Sequence, residues 1–119
     1  ASAAPSVARI EHHVMVVTIG DQHVEMGVDK LMAISMGRAE DNDILCAGAL
    51  TSRKHARIEY KRGRFTVTDQ SANGTHVKAD GEGTVGLRRE YSQLEGAGYI
   101  GLGEDPDTMG DLAIHYSID

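Results

Sequence analysis

The chain has no tryptophan, one phenylalanine (Phe65), one cysteine (Cys46) and two prolines (Pro5 and Pro106). A lone cysteine excludes an internal disulfide and any zinc site built from several thiolates, so a reducing, cytoplasmic setting is expected. No stretch approaches the roughly 18 consecutive apolar residues of a membrane span, and the start lacks the charged and apolar regions of a secretory signal. Residues 1–8 read as a linker and 9–119 as one domain. Basic residues are in deficit: 12 Lys and Arg against 18 Asp and Glu give a net charge of −6. That balance argues against a general nucleic-acid or membrane-surface binder. With so few aromatics the core must be aliphatic, and the five scattered methionines (Met15, Met26, Met32, Met36, Met109) read as core filler. A hydrophobic fraction of 40% and a charged fraction of 25% belong to a foldable globular chain.

Fourteen glycines against two prolines suggest many short elements joined by tight turns, the punctuation of an all-β domain. The clearest local signal lies in residues 56–69. There Ala56, Ile58 and Tyr60 alternate with Arg57, Glu59 and Lys61, and after Arg62-Gly63 the residues Phe65 and Val67 alternate with Thr66 and Thr68. This period of two predicts a hairpin turning at Gly63. Strands are also expected over 8–18, 31–36, 75–78, 84–87, 99–102 and 112–118, a spacing that favours a sandwich over alternating β and α units. Leu87, Tyr91 and Leu94 sit at helical spacing, but Gly86 and Gly96 bound the segment and no cap precedes it. Strand or irregular structure is therefore expected there.

Charge is uneven inside this acidic protein. Six of the twelve basic residues lie between Arg53 and Arg64, with Glu59 the one acid among them. Arg57, Lys61, Arg62 and Arg64 read as the solvated face and tip of the hairpin, whereas Arg53 and Lys54 fall outside its alternation, beside Ser52. Three groups stand in order around them: Gly37-Arg38, then Ser52-Arg53-Lys54-His55, then Asn73-Gly74-Thr75. Asp41-Asn42-Asp43-Ile44 follows the first, Ala56-Arg57-Ile58 the second, and Asp69 and Ser71 precede the third. This constellation resembles the signature of the forkhead-associated (FHA) family, a Gly-Arg pair, a Ser-x-x-His and an Asn-Gly in that order. The resemblance implies a β-sandwich of about eleven strands that binds phosphothreonine peptides on the loops at one end.

The residue chemistry suits that implication. A phosphate brings between one and two negative charges and three acceptor oxygens, so it needs donors on rigid loops. Arg38 offers a planar fork, Ser52 a short hydroxyl with a nearby backbone N–H, and Arg53 a second cation. Asn73, with a donor and an acceptor, suits the ligand's main chain, as the matching family residue does. Gly37, His55, Gly74 and Thr75 are expected to support the site: Gly37 by close backbone approach, Gly74 by positive φ, Thr75 by bracing the turn and His55 by holding the Ser52 loop. One departure stands out. Several family members carry Thr or Ser just before the Asn-Gly, but here the residue is Ala72, which removes one hydroxyl. The loop 45–51 is uncharged and suggests an apolar rather than acidic preference in the ligand.

Other features read as decoys. Gly81-Glu-Gly83-Thr-Val-Gly86 and Gly96-Ala-Gly98-Tyr-Ile-Gly101 fit a dinucleotide fingerprint, yet neither has the strand before and helix after that the mechanism requires. No cofactor is expected. Adjacent His12 and His13 on a strand would point to opposite faces, so with His23 they do not suggest a metal site. Glu104, Asp105 and Asp107 lack calcium-loop spacing, and 40–43 reads as a loop whose Asp or Asn caps backbone amides. No nucleophile has a base and an orienting acid, so the chain is read as a binding module and not an enzyme. The segment 87–103 also resembles FHA domains attached to bacterial adenylate or guanylate cyclases, which would make this a regulatory piece of a signalling protein. The alternative is a phospho-independent docking or dimerisation domain on the same fold.

Overall fold

The computed structural model describes residues 13–119 and contains eleven strands. They are β1 (Val14–Ile19), β2 (Gln22–Gly27), β3 (Ala33–Gly37), β4 (Ile44–Leu45), β5 (Ala56–Lys61), β6 (Arg64–Asp69), β7 (Thr75–Ala79), β8 (Val85–Leu87), β9 (Tyr91–Leu94), β10 (Ala97–Leu102) and β11 (Ile114–Ile118). Two short 3-10 turns, Pro106–Thr108 and Gly110–Leu112, lie between β10 and β11. The strands form a six-stranded sheet ordered β2-β1-β11-β10-β7-β8 and a five-stranded sheet ordered β4-β3-β5-β6-β9. This is the expected all-β sandwich.

Alternation builds the core. Every second residue of β1, β5 and β6 is buried, so Met15 and Val17, Ile58 and Tyr60, and Phe65 and Val67 face inward. They meet Ile34, Met36, Ile100, Leu102, Ile114 and Tyr116 from the other strands. The two aromatic rings at the hairpin end, Tyr60 and Phe65, pack with centroids 4.7 Å apart. Met15, Met26, Met36 and Met109 fill this core, but Met32 does not, being 56% exposed on the β2–β3 loop.

The hairpin turns where alternation places it. Arg62 (φ 55°) and Gly63 (φ 79°) both adopt positive φ, the two-residue turn whose twist suits antiparallel strands. Arg57 is half-buried while Lys61, Arg62 and Arg64 are exposed, and Arg57 and Lys61 both lie near Glu59, at 3.2 and 3.7 Å.

Several expected boundaries shift. Leu31 and Met32 precede β3 and are exposed, since Leu31 makes only an isolated bridge to Met26. Residues 110–112 form a 3-10 turn, so β11 begins at Ile114. β10 starts two residues before the expected Tyr99. Of the expected strand at 8–18, residues 8–12 lie outside the described residues, as do the linker at 1–8 and His12. In the 87–95 segment a corner at 88–90 joins β8 to the extended β9: Leu94 is buried and Tyr91 75% exposed, so the three apolar positions share no helical face. The glycines of both fingerprint-like segments belong to turns and strands, with Gly81 (φ 81°) and Gly96 (φ 64°) turning β7 into β8 and β9 into β10. Among the described residues no cluster of three His, Cys, Asp or Glu is placed to hold a metal, and no helix is long and apolar enough to cross a membrane.

Candidate functional site

Register brings the three motif groups together. Met36 pairs with Ala56 and Ala56 with Asp69, so β3 ends, β5 begins and β6 ends at one rim of the five-stranded sheet. The loops 38–43, 46–55 and 70–74 therefore emerge side by side, while the basic hairpin tip at Arg62 lies at the opposite end.

Backbone bonds weld the first two loops. Arg38 N–H donates to Ser52 O (3.0 Å), Ala39 N–H to Arg53 O (3.1 Å) and His55 N–H to Met36 O (2.9 Å). Such proximity requires Gly37: a Cβ there would fall on the Arg53 carbonyl, 2.9 Å from the His55 nitrogen. The 40–43 loop supports the same junction, although not as an amide cap at Asn42. The Asn42 amide instead donates to two carbonyls, Ala39 O and Arg53 O, both at 2.8 Å. Asp43 does cap an amide, that of Ser35, at 2.8 Å.

His55 is fully buried beneath the loops. Its Nδ1 accepts from Ser52 N–H (2.9 Å), which places the ring proton on Nε2, where it donates to Gly74 O (2.7 Å). One imidazole thus ties the Ser52 loop to the 70–74 loop. Burial holds its pKa below the ordinary histidine value, outweighing the Gly74 carbonyl and Asp69, which favour the charged form.

Asp69 organises the third loop. It is 2% exposed and accepts from Ser71 Oγ (2.6 Å), Thr75 Oγ1 (2.7 Å), Ser71 N–H (3.3 Å) and Arg89 N–H (2.8 Å). Burial pushes its carboxyl up, but these donors together bring it below the usual aspartate value. Ser71 Oγ in turn accepts from Gly74 N–H (2.8 Å), and Gly74 sits at φ 91°. Thr75, fully buried as the first residue of β7, braces the turn. Asp69, Ser71 and Arg89 have no assigned role in the sequence reading. The first two precede the Asn-Gly group, yet nothing local signals that both would be buried, and Arg89 is twenty residues from its partner.

Above this framework stand the ligand-facing candidates. Arg38 is exposed and donates Nε–H to Thr51 O (3.1 Å), which fixes its guanidinium and leaves both Nη groups without a partner among the described residues. Ser52 Oγ accepts from Ala72 N–H (3.3 Å), so its own proton points elsewhere; its N–H is taken by His55, so the backbone donor remaining beside it is that of Arg53. Arg53 is exposed and its side chain makes no ion pair among the described residues, whereas Lys54 is matched to Asp41 at 3.1 Å, which lowers the Asp41 carboxyl. Arg38 and Arg53 line an open groove of about 480 Å³ with Ala39, Glu40 and Asp41. Asn73, also exposed, gives one amide proton to Leu50 O (3.0 Å) and keeps its carbonyl for another partner.

Comparison with solved structures supports the architecture. The Rv1747 FHA-1 domain of Mycobacterium tuberculosis superposes with a TM-score of 0.64 at 19% identity, covering 89% of this chain and 96% of its own. EmbR of the same organism, solved with a low-affinity phosphopeptide, has a TM-score of 0.62 at 20% identity, covering 99% of this chain, which spans 29% of EmbR. An FHA domain solved in work on phosphothreonine-dependent FHA interactions gives 0.60 at 17% identity, covering 88% of this chain and 94% of its own. At such identities the likeness is one of fold. No curated protein matches. The FHA domain model, in contrast, matches residues 34–94, a span holding all three motif groups, Asp69 and the Arg89 corner, and the chain belongs to the FHA domain family.

Proposed function

We propose that this domain is a binding module for phosphothreonine-containing protein segments, with Arg38, Ser52, Arg53 and Asn73 as the residues that meet the ligand. The observation that carries this reading is a set of donors on one rigid rim that have no partner among the described residues: the Nη groups of Arg38, the hydroxyl proton of Ser52, and the N–H and guanidinium of Arg53. Phosphate has three acceptor oxygens and up to two charges, and preorganised donors of this kind bind it with little further ordering. Asn73, anchored to Leu50 O, would hold the ligand's main chain. Gly37, His55, Gly74 and Thr75 support the rim rather than touch the ligand. Leu50 is 45% exposed in the uncharged 45–51 loop, so an apolar ligand residue would suit that side.

The module acts by binding, not by catalysis, and needs no cofactor, metal or nucleic acid. We read 9–119 as the domain and 1–8 as a linker, in a cytoplasmic signalling protein whose catalytic part is a cyclase. The resemblance of 87–103 to cyclase-attached FHA domains supports that context, and the remaining gene sequence tests it.

Titration with matched phosphothreonine, phosphoserine and unphosphorylated peptides tests the central claim. Phosphothreonine peptides should bind and the other two should not. Arg38→Ala should remove that binding while lowering stability only slightly, since the lost Thr51 bond is at the surface. Equal binding of all three peptides would refute the reading in favour of phospho-independent docking, for which the missing hydroxyl at Ala72 is the supporting observation.

A further inference from the structure

The β8–β9 corner, residues 88–90, carries two arginines that the phosphothreonine site as described does not use. Thr75 pairs with Leu87 and Thr68 with Tyr91, so the corner lies at the same rim as the binding loops, flanking the 70–74 loop. It is held there with unusual care for an exposed turn. Arg89 adopts φ 57°, a conformation costly for any L-residue that carries a Cβ. Its N–H is fixed by the buried Asp69 carboxylate at 2.8 Å, and Asp69 N–H donates to Glu90 O at 2.9 Å.

The side chain of Arg89 repeats the arrangement of Arg38. It donates Nε–H to a loop carbonyl, Ser71 O, at 3.0 Å, and both Nη groups lack a partner among the described residues. Of the arginines in those residues, only Arg38 and Arg89 have Nε bonded to a backbone carbonyl of a binding loop. Neutralising Asp69 does not explain the guanidinium, because Asp69 is engaged by the main chain of Arg89 and forms no ion pair with its side chain. Glu90 does not explain it either, since its carboxylate accepts from Arg88 N–H (3.2 Å) and pairs with neither arginine. Arg88 adds a second exposed cation, with Cγ 3.7 Å from where a Gly74 Cβ would stand. The corner thus presents a fixed, exposed fork against the 70–74 loop on its β9 side, whereas Arg38 and Arg53 lie on its β3–β5 side.

Resting on the phosphothreonine reading above, we propose that Arg89 receives a second anionic side chain of the same ligand segment, a carboxylate or a further phosphate, and so selects phosphothreonine segments that carry such a group nearby. A fork anchored through Nε offers its two Nη donors in parallel, the geometry that carboxylate and phosphate oxygens match. Arg88 raises the local positive potential and assists.

The test uses the full chain and a phosphothreonine peptide otherwise made of Ala and Gly, into which Asp is placed singly at each position from four before to four after the phosphothreonine. At one position Asp should tighten binding about fivefold or more, and phosphoserine there at least as much, with Ser as the neutral control. Which of the two gains more identifies the preferred anion. Arg89→Gln should erase that gain while binding of the Ala-Gly peptide stays within about twofold, a selectivity that a merely structural role would not produce. Should Arg89→Gln fail to fold, Arg88→Gln together with Asp→Lys in the peptide takes its place: the first should halve the gain or more, and the second should weaken binding below the neutral peptide. The proposal is overturned if no anionic position tightens binding, or if the gain survives these substitutions while the neutral phosphothreonine peptide binds normally. If no phosphothreonine peptide binds at all, both this inference and the reading beneath it are overturned.

Discussion

Replacing Asp69 with Asn isolates what the buried carboxylate contributes. Asn keeps the volume, and with its carbonyl at the Oδ1 position it still accepts from Ser71 Oγ and Thr75 Oγ1. Its NH2 must then occupy the Oδ2 position and face Arg89 N–H, 2.8 Å away, donor against donor. One hydrogen bond to a charged acceptor, worth about 1.5–3 kcal/mol, is lost, and those remaining are weakened by loss of the charge. The left-handed Arg89 loses the bond that holds it in a conformation costing about 1–2 kcal/mol. Asp69→Asn should therefore destabilise the domain by about 3 kcal/mol, read as a lower urea midpoint with an unchanged slope, and lower Tm by about 10 °C. The pH dependence gives a second reading of the same group. With its pKa held below the unfolded value of 3.8, Asp69 contributes stability that is present above that value and lost as pH falls through the folded pKa. The variant should lack this acid-side loss. A change below about 1 kcal/mol, together with an unaltered acid limb, would refute the role assigned to this carboxylate.

Three further outcomes follow from the geometry. Because burial holds the His55 pKa below 6.5, the unfolded chain takes up the proton first, so the urea midpoint should fall as pH drops below about 6.5 and level off under the folded pKa; a flat profile from pH 8 to 5 would contradict this. Gly37→Ala sets a Cβ against backbone on the neighbouring loop, so it should cost more than about 2 kcal/mol in chemical denaturation and weaken phosphopeptide binding, and a neutral effect on both would show that the loops part easily. Ala72→Thr restores a hydroxyl beside Ser52 at an exposed position, and calorimetry should show phosphothreonine peptides binding about tenfold tighter, with unphosphorylated peptides unaffected.

The strands legible in the sequence were those with a side-chain period to read. In β5 and β6 one face is core and the other solvent, and Arg62-Gly63 adopts the turn that this alternation requires. β2 (Gln22–Gly27) gave no such signal: as an edge strand it exposes His23 and Glu25, and only Met26 and Gly27 are buried. Its connection to β4 is equally silent, since Gln22 reaches across to the backbone N–H and O of Leu45 at 2.7 and 2.6 Å. A two-residue strand stitched by one side chain has no period at all. β11 begins later than its sequence suggests for a related reason: Leu112 looks like a strand residue in isolation but belongs to a 3-10 turn followed by the extended Ala113.

The rim of the candidate site is legible in the sequence and its foundation is not, because the two are written at different ranges. Arg38, Arg53 and Asn73 are exposed and Ser52 half-buried, their types suit a phosphate and the ligand's main chain, and a motif can place them. Asp69 matters through partners at Ser71, Thr75 and Arg89, and only the pairing of β6 with β9 and of β7 with β8 brings the last of these into reach. Nor does composition help: in a chain of net charge −6 one more aspartate is unremarked, yet this one is removed from water and compensated entirely by hydrogen-bond donors. The same carboxylate fixes the turn that presents Asn73 and the corner that presents Arg89. Loosening it should therefore disturb the proposed main-chain capture and anion selection together, whereas a substitution at Arg38 should leave the anchoring of Arg89 intact.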